Sequence, residues 1–130
     1  VSVGKRSLHA KDAERMRELM ASGKPYLNPE LDLATLAGYL GMPPKQVSAT
    51  INQYFGQNFY EFVNGYRVKA FIKRVAMPDS GNLTLLGHAL ECGFNSKSTF
   101  NDVFKKTVGK TPSQFVRDQK KRSEGKHSDA

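Results

Sequence analysis

The sequence predicts an all-α protein of seven helices, arranged as two short helix pairs joined by one long central helix. Three features support this fold class. Apolar residues recur at spacings of three and four rather than two, which is the period of a helix and not of a strand. A disguised repeat occupies two stretches of the chain. The longest apolar stripe lies between the two copies, from about residue 58 to residue 76.

The ends of the chain differ from its middle. A lead-in over residues 1–25 contains a first helix, from about residue 9 to residue 21, that ends near Gly23 and Pro25. Residues 122–130 are polar and are expected to form a disordered tail. The domain proper therefore covers residues 26–121. Because the chain begins with Val1, we expect it to be a piece cut from a longer protein.

Each copy of the repeat begins with a residue suited to cap a helix, Asp32 in the first copy and Thr84 in the second. A helix of about seven residues follows and ends near a glycine, Gly41 or Gly93, at a position that often needs a positive φ. A turn and a second helix complete each copy. This pattern is typical of a helix-turn-helix unit, although a single copy would fit an ordinary helical hairpin equally well.

The second helix of each copy is expected to have a buried stripe and an outward polar face. Outward amide, lysine and carboxylate side chains can bond to base edges in a major groove, although a merely solvated face is the alternative. The predicted core consists of Leu33, Leu36, Val47, Ile51, Phe55, Leu85, Phe94, Phe100 and Phe104. The candidates for base contact are Lys45, Ser48, Ala49, Asn52, Lys97, Ser98, Asn101 and Asp102.

The charge of the chain favours a polyanionic partner. Lys and Arg number 20 against 12 acidic residues, which gives a net charge of +8 and a pI near 9.7. DNA, RNA and an anionic membrane surface all fit that surplus. The single cysteine, Cys92, leaves no intramolecular disulfide and no thiolate metal cluster. The single cysteine is compatible with a reducing cytoplasm. The sequence shows neither a run of about 18 apolar residues nor a signal peptide.

Residues of the second copy resemble the signature of the AraC/XylS family of bacterial transcription regulators. They are Ala89-Leu90-Glu91-Cys92-Gly93-Phe94, Ser98, Phe100, Phe104-Lys105-Lys106, Gly109, Thr111-Pro112-Ser113, Phe115 and Arg117. The first copy, residues 33–56, and the pair Tyr66-Arg67 also match. The resemblance implies two helix-turn-helix units joined by a long helix, with both second helices entering major grooves on one face of DNA. The candidates for phosphate contact are Thr84, Lys105, Lys106, Thr111 and Arg117.

Four positions depart from the family pattern. His88 replaces the usual aliphatic residue, and we interpret it as a core-edge histidine with a hydrogen-bond partner. Phe71 stands where an alanine is usual, so the packing is expected to differ there. Val116 replaces a common basic residue and removes a phosphate contact. Asp102 replaces a longer polar or basic residue, which weakens the case for the usual base contact at that position.

The expected partner is double-stranded DNA, with RNA polymerase as a further candidate. An effector or a dimerisation surface would belong to a domain outside this chain. The lead-in, with Glu14-Arg15-Met16 and Lys24-Pro25-Tyr26, resembles that of members whose sensor is membrane-embedded, so the parent is a candidate for membrane association. We expect no cofactor, no metal site and no catalytic residues.

Three other functions compete with DNA reading. An enzyme is disfavoured because no catalytic grouping or metal-ligand spacing appears in the sequence. An RNA-binding module would display exposed stacking aromatics, whereas the aromatics here mostly fall on buried stripes. A protein-interaction module with weak DNA affinity is the main alternative. If the DNA interpretation holds, the 19-residue stretch 58–76 spans roughly 28 Å, near the ~34 Å between successive major grooves on one side of B-DNA.

Overall fold

The computed structural model describes the backbone of residues 2–77 and 83–128, and the side chains of residues 10–77 and 83–122. Within these ranges the chain forms seven α-helices and no strand, which confirms the predicted fold class. In chain order they are α1 (Ser2–Ser22), α2 (Leu33–Leu40), α3 (Pro44–Phe55), α4 (Phe59–Ala76), α5 (Leu85–Glu91), α6 (Lys97–Val108) and α7 (Pro112–Ser128). A single 3-10 turn, Pro25–Leu27, follows α1.

The chain divides into two compact units. Unit 1 comprises residues 1–67 and unit 2 comprises residues 68–130, so the boundary falls inside α4. Each unit contains one copy of the sequence repeat: α2 and α3 belong to unit 1, and α5 and α6 belong to unit 2.

The core of unit 1 includes the predicted lead-in helix. The α1 stripe is fully buried, with Ala13 and Met16 at 0% exposure and Met20 at 1%. Leu36 of α2 and Ile51 of α3 are equally inaccessible. Because α1 packs against α3, the lead-in belongs structurally to this unit rather than preceding it. The helix also begins at Ser2, earlier than the predicted start near residue 9.

The core of unit 2 is a cluster of aromatic rings. Phe71 and Phe104 are fully buried and Phe100 is nearly so. The Phe71 ring lies 4.8 Å from that of Phe100 and 5.4 Å from that of Phe104, measured between centroids. The Phe94 ring extends the cluster at 5.2 Å from that of Phe100, and the Phe115 ring lies 5.5 Å from that of Phe104. The bulky residue at position 71 therefore supplies the centre of this core, where the family pattern has a small one.

Most of the predicted core residues are buried, and the others share one explanation. Leu36, Val47, Ile51, Phe94, Phe100 and Phe104 are buried. Leu33, Phe55 and Leu85 are only half-buried. Leu33 and Leu85 are the first residues of α2 and α5, and Phe55 is the last residue of α3. A side chain at a helix end has neighbours on one side only, so its exposure is higher than the stripe pattern indicates.

Two further helix boundaries differ from those predicted. The central helix begins at Phe59 because Asn58 and Glu61 form a reciprocal cap: Asn58 Oδ1 accepts from the Glu61 N–H at 2.8 Å, and Glu61 Oε1 accepts from the Asn58 N–H at 3.0 Å. At the other end of the chain, α7 is helical as far as Ser128, past the point where a disordered tail was expected. Its Lys, Arg and Gln residues are good helix formers, which offsets their polarity. The sequence also predicts that Pro78 stops α4, because the residue before a proline is disfavoured in a helix, but Pro78 lies outside the described residues.

His88 is a buried histidine with a partner, as the sequence indicated. Its side chain is 4% exposed, and its Nδ1 accepts a hydrogen bond from Arg74 Nε at 3.3 Å. Arg74 lies in the last turn of α4, so the contact ties α4 to α5 within unit 2.

Replacing Phe104 with alanine tests the core of unit 2. The Phe104→Ala substitution is expected to lower the free energy of unfolding by about 3–5 kcal/mol, the usual cost of truncating a buried phenylalanine. The neighbouring exposed residue, Lys105, gives a control. Lys105→Ala is expected to change the free energy of unfolding by less than about 0.5 kcal/mol. Denaturant titration followed by circular dichroism measures both. An unchanged Phe104→Ala stability would contradict the assignment of buried and exposed faces.

Cys92 offers a second test, through alkaline pH. Burial raises the pKa of its thiol from an ordinary 9.0 to about 11. The unfolded chain therefore loses this proton near pH 9, whereas the folded chain retains it until about pH 11. The contribution of the neutral thiol to stability is thus complete below pH 9 and is lost between pH 9 and 11.

The measurement is the free energy of unfolding at several pH values for the natural chain and for Cys92→Ala. The natural chain is expected to lose stability more steeply across this interval than Cys92→Ala does. Parallel curves would show that the thiol ionises equally easily in the two states.

Candidate nucleic-acid interface

The first helix of each pair starts with a side-chain cap. Asp32 Oδ1 accepts from the Thr35 N–H at 2.8 Å, and Thr84 Oγ1 accepts from the Gly87 N–H at 2.9 Å. Hydrogen bonds from the Thr35 side chain and, to a smaller extent, from its N–H lower the pKa of Asp32, because they stabilise the charged carboxylate. Both capping predictions are confirmed, so each helix pair has a fixed starting point.

Glycine terminates the first helix of each pair in the left-handed region. Gly41 has φ of 65° and Gly93 has φ of 103°, values that residues with a Cβ adopt only with strain. Space is available around Gly41, so the backbone angle rather than crowding explains the glycine there. These residues turn the chain sharply between the first helix and the second.

The second helices, α3 and α6, are both 12 residues long and are called here the recognition helices. Helix α3 begins with Pro44 in its first turn, a position that requires no N–H donor. Helix α6 begins after Ser96, whose Oγ accepts from the Thr99 N–H at 3.2 Å. The two recognition helices therefore have the same length but begin with different capping residues.

Each recognition helix buries one face and exposes the other. In α3, Val47, Thr50 and Ile51 are buried. The candidates Lys45, Ser48 and Asn52 are exposed, and Ala49 is half-buried. In α6, Phe100 and Phe104 are buried. The candidates Lys97, Ser98, Asn101 and Asp102 are exposed on that helix.

The two exposed faces differ in chemistry. Lys45 is the one charged residue of α3, whose other exposed side chains are hydroxyls, amides and the Tyr54 ring. The exposed residues of α6 include three bases, Lys97, Lys105 and Lys106, and one acid, Asp102. Lys105 and Lys106 also lie in the last turn of α6, where the helix dipole favours a positive charge. The α6 face can therefore make more charged contacts than the α3 face.

Three other candidates for phosphate contact lie beside the recognition helix of unit 2. Arg117 is exposed on α7. Thr111 caps that helix, since its Oγ1 accepts from the Gln114 N–H at 3.2 Å while Gln114 Oε1 accepts from the Thr111 N–H at 3.1 Å. Thr84 caps α5 with a single bond, its Oγ1 accepting from the Gly87 N–H. A hydroxyl that accepts in a cap still has its own hydrogen to donate, so both threonines remain able to bind a phosphate oxygen.

Val116, the residue before Arg117, is half-buried. With Ile72, Val75, Ala76, Phe115, Gln119 and Lys120, it lines a groove of about 540 Å³ between α4 and α7 in unit 2. A valine at this position therefore adds apolar surface to the groove. It has no donor for a phosphate, in keeping with the loss of one contact expected from the sequence.

Sequence reasoning missed the side chains that hold unit 1 together across long separations. Arg67 Nε donates to the Tyr26 carbonyl at 2.8 Å, and its Nη2 donates to the Asn28 carbonyl at 2.9 Å. Burial lowers the pKa of Arg67, whose high ordinary value still keeps it charged. The Tyr26 ring stacks on the Tyr66 ring at 5.7 Å. The resemblance drew attention to the pair Tyr66-Arg67, but only the fold shows its partners.

Two features that would indicate other chemistry were sought among the described residues. These residues contain no group of three or more His, Cys, Asp or Glu side chains placed to hold a metal ion. In the same part of the chain, each helix is too short or too polar to cross a lipid bilayer.

Comparisons with known proteins agree with this architecture. A family model described as a helix-turn-helix domain matches residues 36–118, well over half of the chain. No curated protein matches the chain in a sequence comparison.

Three solved structures illustrate the likeness. The C-terminal domain of AraT, a response regulator from Geobacillus stearothermophilus, is 25% identical with a TM-score of 0.66, over 82% of this chain and 84% of its own. A DNA-binding transcriptional dual regulator from Escherichia coli K-12 shares the fold at 19% identity and a TM-score of 0.68, over 82% and 90% of the two chains. A transcriptional regulator with an AraC-type DNA-binding domain from Chromobacterium violaceum shares the fold at 19% identity and a TM-score of 0.64. The match covers 90% of this chain and 95% of that one.

The helix pairs, the glycine turns and the exposed polar faces of α3 and α6 thus lie within the region that the family model matches, apart from the first turn of α2 and its cap Asp32, which precede residue 36. The chain belongs to the AraC-type helix-turn-helix family, whose domains are DNA-binding regulatory domains rather than a class of enzymes.

Proposed function

We propose that this chain is the sequence-specific DNA-binding part of a bacterial transcription regulator, and that α3 and α6 read two adjacent major grooves. The observation that carries the proposal is the two-sided character of both recognition helices. Each buries an apolar stripe and exposes base-reading residue types on a chain with a net charge of +8. The two half-sites are proposed to lie about one helical turn apart on one side of the DNA.

The proposed base contacts follow from side-chain chemistry. Asn101 suits adenine, which presents an acceptor and a donor in the major groove, and Lys97 suits the acceptors of guanine. Asp102 can accept from the cytosine amine. Ala49 can offer only an apolar contact, such as to a thymine methyl group. Lys45, Ser48, Asn52 and Ser98 complete the proposed reading faces.

Phosphate contacts are proposed for Lys105, Lys106, Arg117, Thr84 and Thr111, which would set the position of unit 2 on the duplex. RNA polymerase and an effector acting through another domain remain proposed partners. Binding to a bacterial chromosome implies action in the cytoplasm, with membrane association of the parent as a further proposal.

The salt dependence of binding tests the proposed partner. Each phosphate contact releases counterions, so log affinity is expected to fall linearly with log salt, with a slope of about −0.9 per contact. Roughly five to eight contacts are expected from two units of this kind. Fluorescence anisotropy of a labelled duplex between low and moderate salt measures the slope, and sedimentation checks that the chain binds as a monomer. Weak binding with a slope near zero would favour the alternative, a protein-interaction module.

Two substitutions on α6 separate base reading from phosphate binding. Asn101→Ala is expected to relax the preference at one base position of one half-site, at a cost of about 1–3 kcal/mol. Lys105→Ala is expected to weaken binding to all sequences alike and to flatten the salt slope by about one. Both side chains are exposed, so neither change should unfold the domain.

The measurement is a selection of binding sites from random DNA by each variant. Unchanged preferences for Asn101→Ala, or a change confined to the half-site of unit 1, would contradict the proposed assignment of α6.

A further inference from the structure

Helix α1 contacts the helix pair of unit 1 through two hydrogen bonds and one cation–π interaction, in addition to its buried stripe. Near the start of α3, Gln46 Nε2 donates to Asp12 Oδ2 at 2.8 Å, across 34 positions of sequence. At the end of α2, Arg15 Nη2 donates to the Leu40 carbonyl. Arg17 makes the third contact, with the far end of α3.

The third contact is aromatic. The Arg17 guanidinium carbon lies 5.4 Å from the centroid of the Tyr54 ring and 5.3 Å from that of Phe55, within the range of a cation–π interaction. Tyr54 and Phe55 are the last two residues of α3. Side chains of one helix, α1, therefore contact the recognition helix at both of its ends.

These contacts constrain the direction of α3 more than they contribute to the stability of unit 1. The buried stripe of Ala13, Met16 and Met20 already anchors α1 to the unit. The stripe packs the two helices together along their length, and each hydrogen bond adds a narrow requirement of distance and angle near one end of a helix. Gln46 directly follows the base-contact candidate Lys45 and lies two residues before Ser48.

We propose that Asp12, Arg15 and Arg17 are positioning residues, which set the orientation of α3 and thereby the base preference of the half-site that unit 1 reads. This inference rests on the proposed function. It places a determinant of specificity in the lead-in helix, outside residues 36–118 that the family model matches. None of the three residues needs to touch a base for the effect to occur.

The Asp12–Gln46 bond gives the sharpest test. Asp12→Ala removes the acceptor, whereas Asp12→Asn keeps a side-chain oxygen in the same place. Glu18→Ala is the matched control, because it removes one negative charge from an exposed position on the same helix, where only the backbone carbonyl makes a described bond. Both alanine variants therefore raise the net charge equally, and any difference between them does not come from general attraction to DNA.

Binding-site selection by the full chain is the first readout. Asp12→Ala is expected to reduce discrimination between bases in one half-site by about two- to tenfold, the change in an equilibrium constant that the loss of one hydrogen bond produces. The other half-site is expected to keep its preferences. Asp12→Asn and Glu18→Ala are expected to select the same sites as the natural chain. Selection of unchanged sites by Asp12→Ala, or an equal change by Glu18→Ala, would overturn the proposal.

Amide hydrogen exchange without DNA is the second readout. Asp12→Ala is expected to speed exchange in the first turns of α3 and to leave α6 unchanged. If the natural chain showed no base preference at all, the proposed function would fail, while unaltered exchange in α3 would separately refute the positioning role. If Asp12→Ala folds poorly, Arg15→Met gives a second test, because it removes the donor to the Leu40 carbonyl. Lys11→Met is its charge-matched control.

Discussion

A recognition helix of 12 residues is marginally stable in water unless one of its faces is buried. Much of the architecture of each unit follows from that constraint. In unit 1, α1 and α2 cover the stripe of Val47 and Ile51, and in unit 2 the ring cluster around Phe71 covers Phe100 and Phe104. Burial of one face leaves the opposite face fully available, so the same packing that stabilises the helix also presents its polar side chains to solvent.

The parts that could be predicted from sequence are those that depend on local periodicity and local backbone chemistry. The helix pairs, the caps at Asp32 and Thr84 and the positive φ at Gly41 and Gly93 all follow from residues within a few positions of one another. Contacts such as Asp12–Gln46 and Arg67–Tyr26 could not be predicted, because they join residues 34 and 41 positions apart whose partners depend on the completed fold. The exposed faces of α3 and α6 could be predicted, because they lie opposite the buried apolar residues of each helix. The contacts of these faces with DNA are part of the proposed function.

The charge surplus is distributed unevenly between the units. Unit 1 carries 8 Lys and Arg residues against 6 acidic ones, while unit 2 carries 12 against 6. Since counterion release scales with the number of phosphates neutralised, unit 2 is suited to supply most of the sequence-independent attraction. The face of α3, with Lys45 as its one charged residue, is suited to discriminate with little attraction of its own.

Arg67 also has a consequence for the time course of folding. Its bonds to the Tyr26 and Asn28 carbonyls close loops of 41 and 39 residues, while the bonds within each helix join residues only four apart. Loop closure costs entropy that grows with the length of chain enclosed, and contacts of large sequence separation slow folding. We therefore expect the helices of unit 1 to form and collapse first, and the guanidinium to dock late, as the step that locks the turn at Pro25–Leu27 onto the middle of α4.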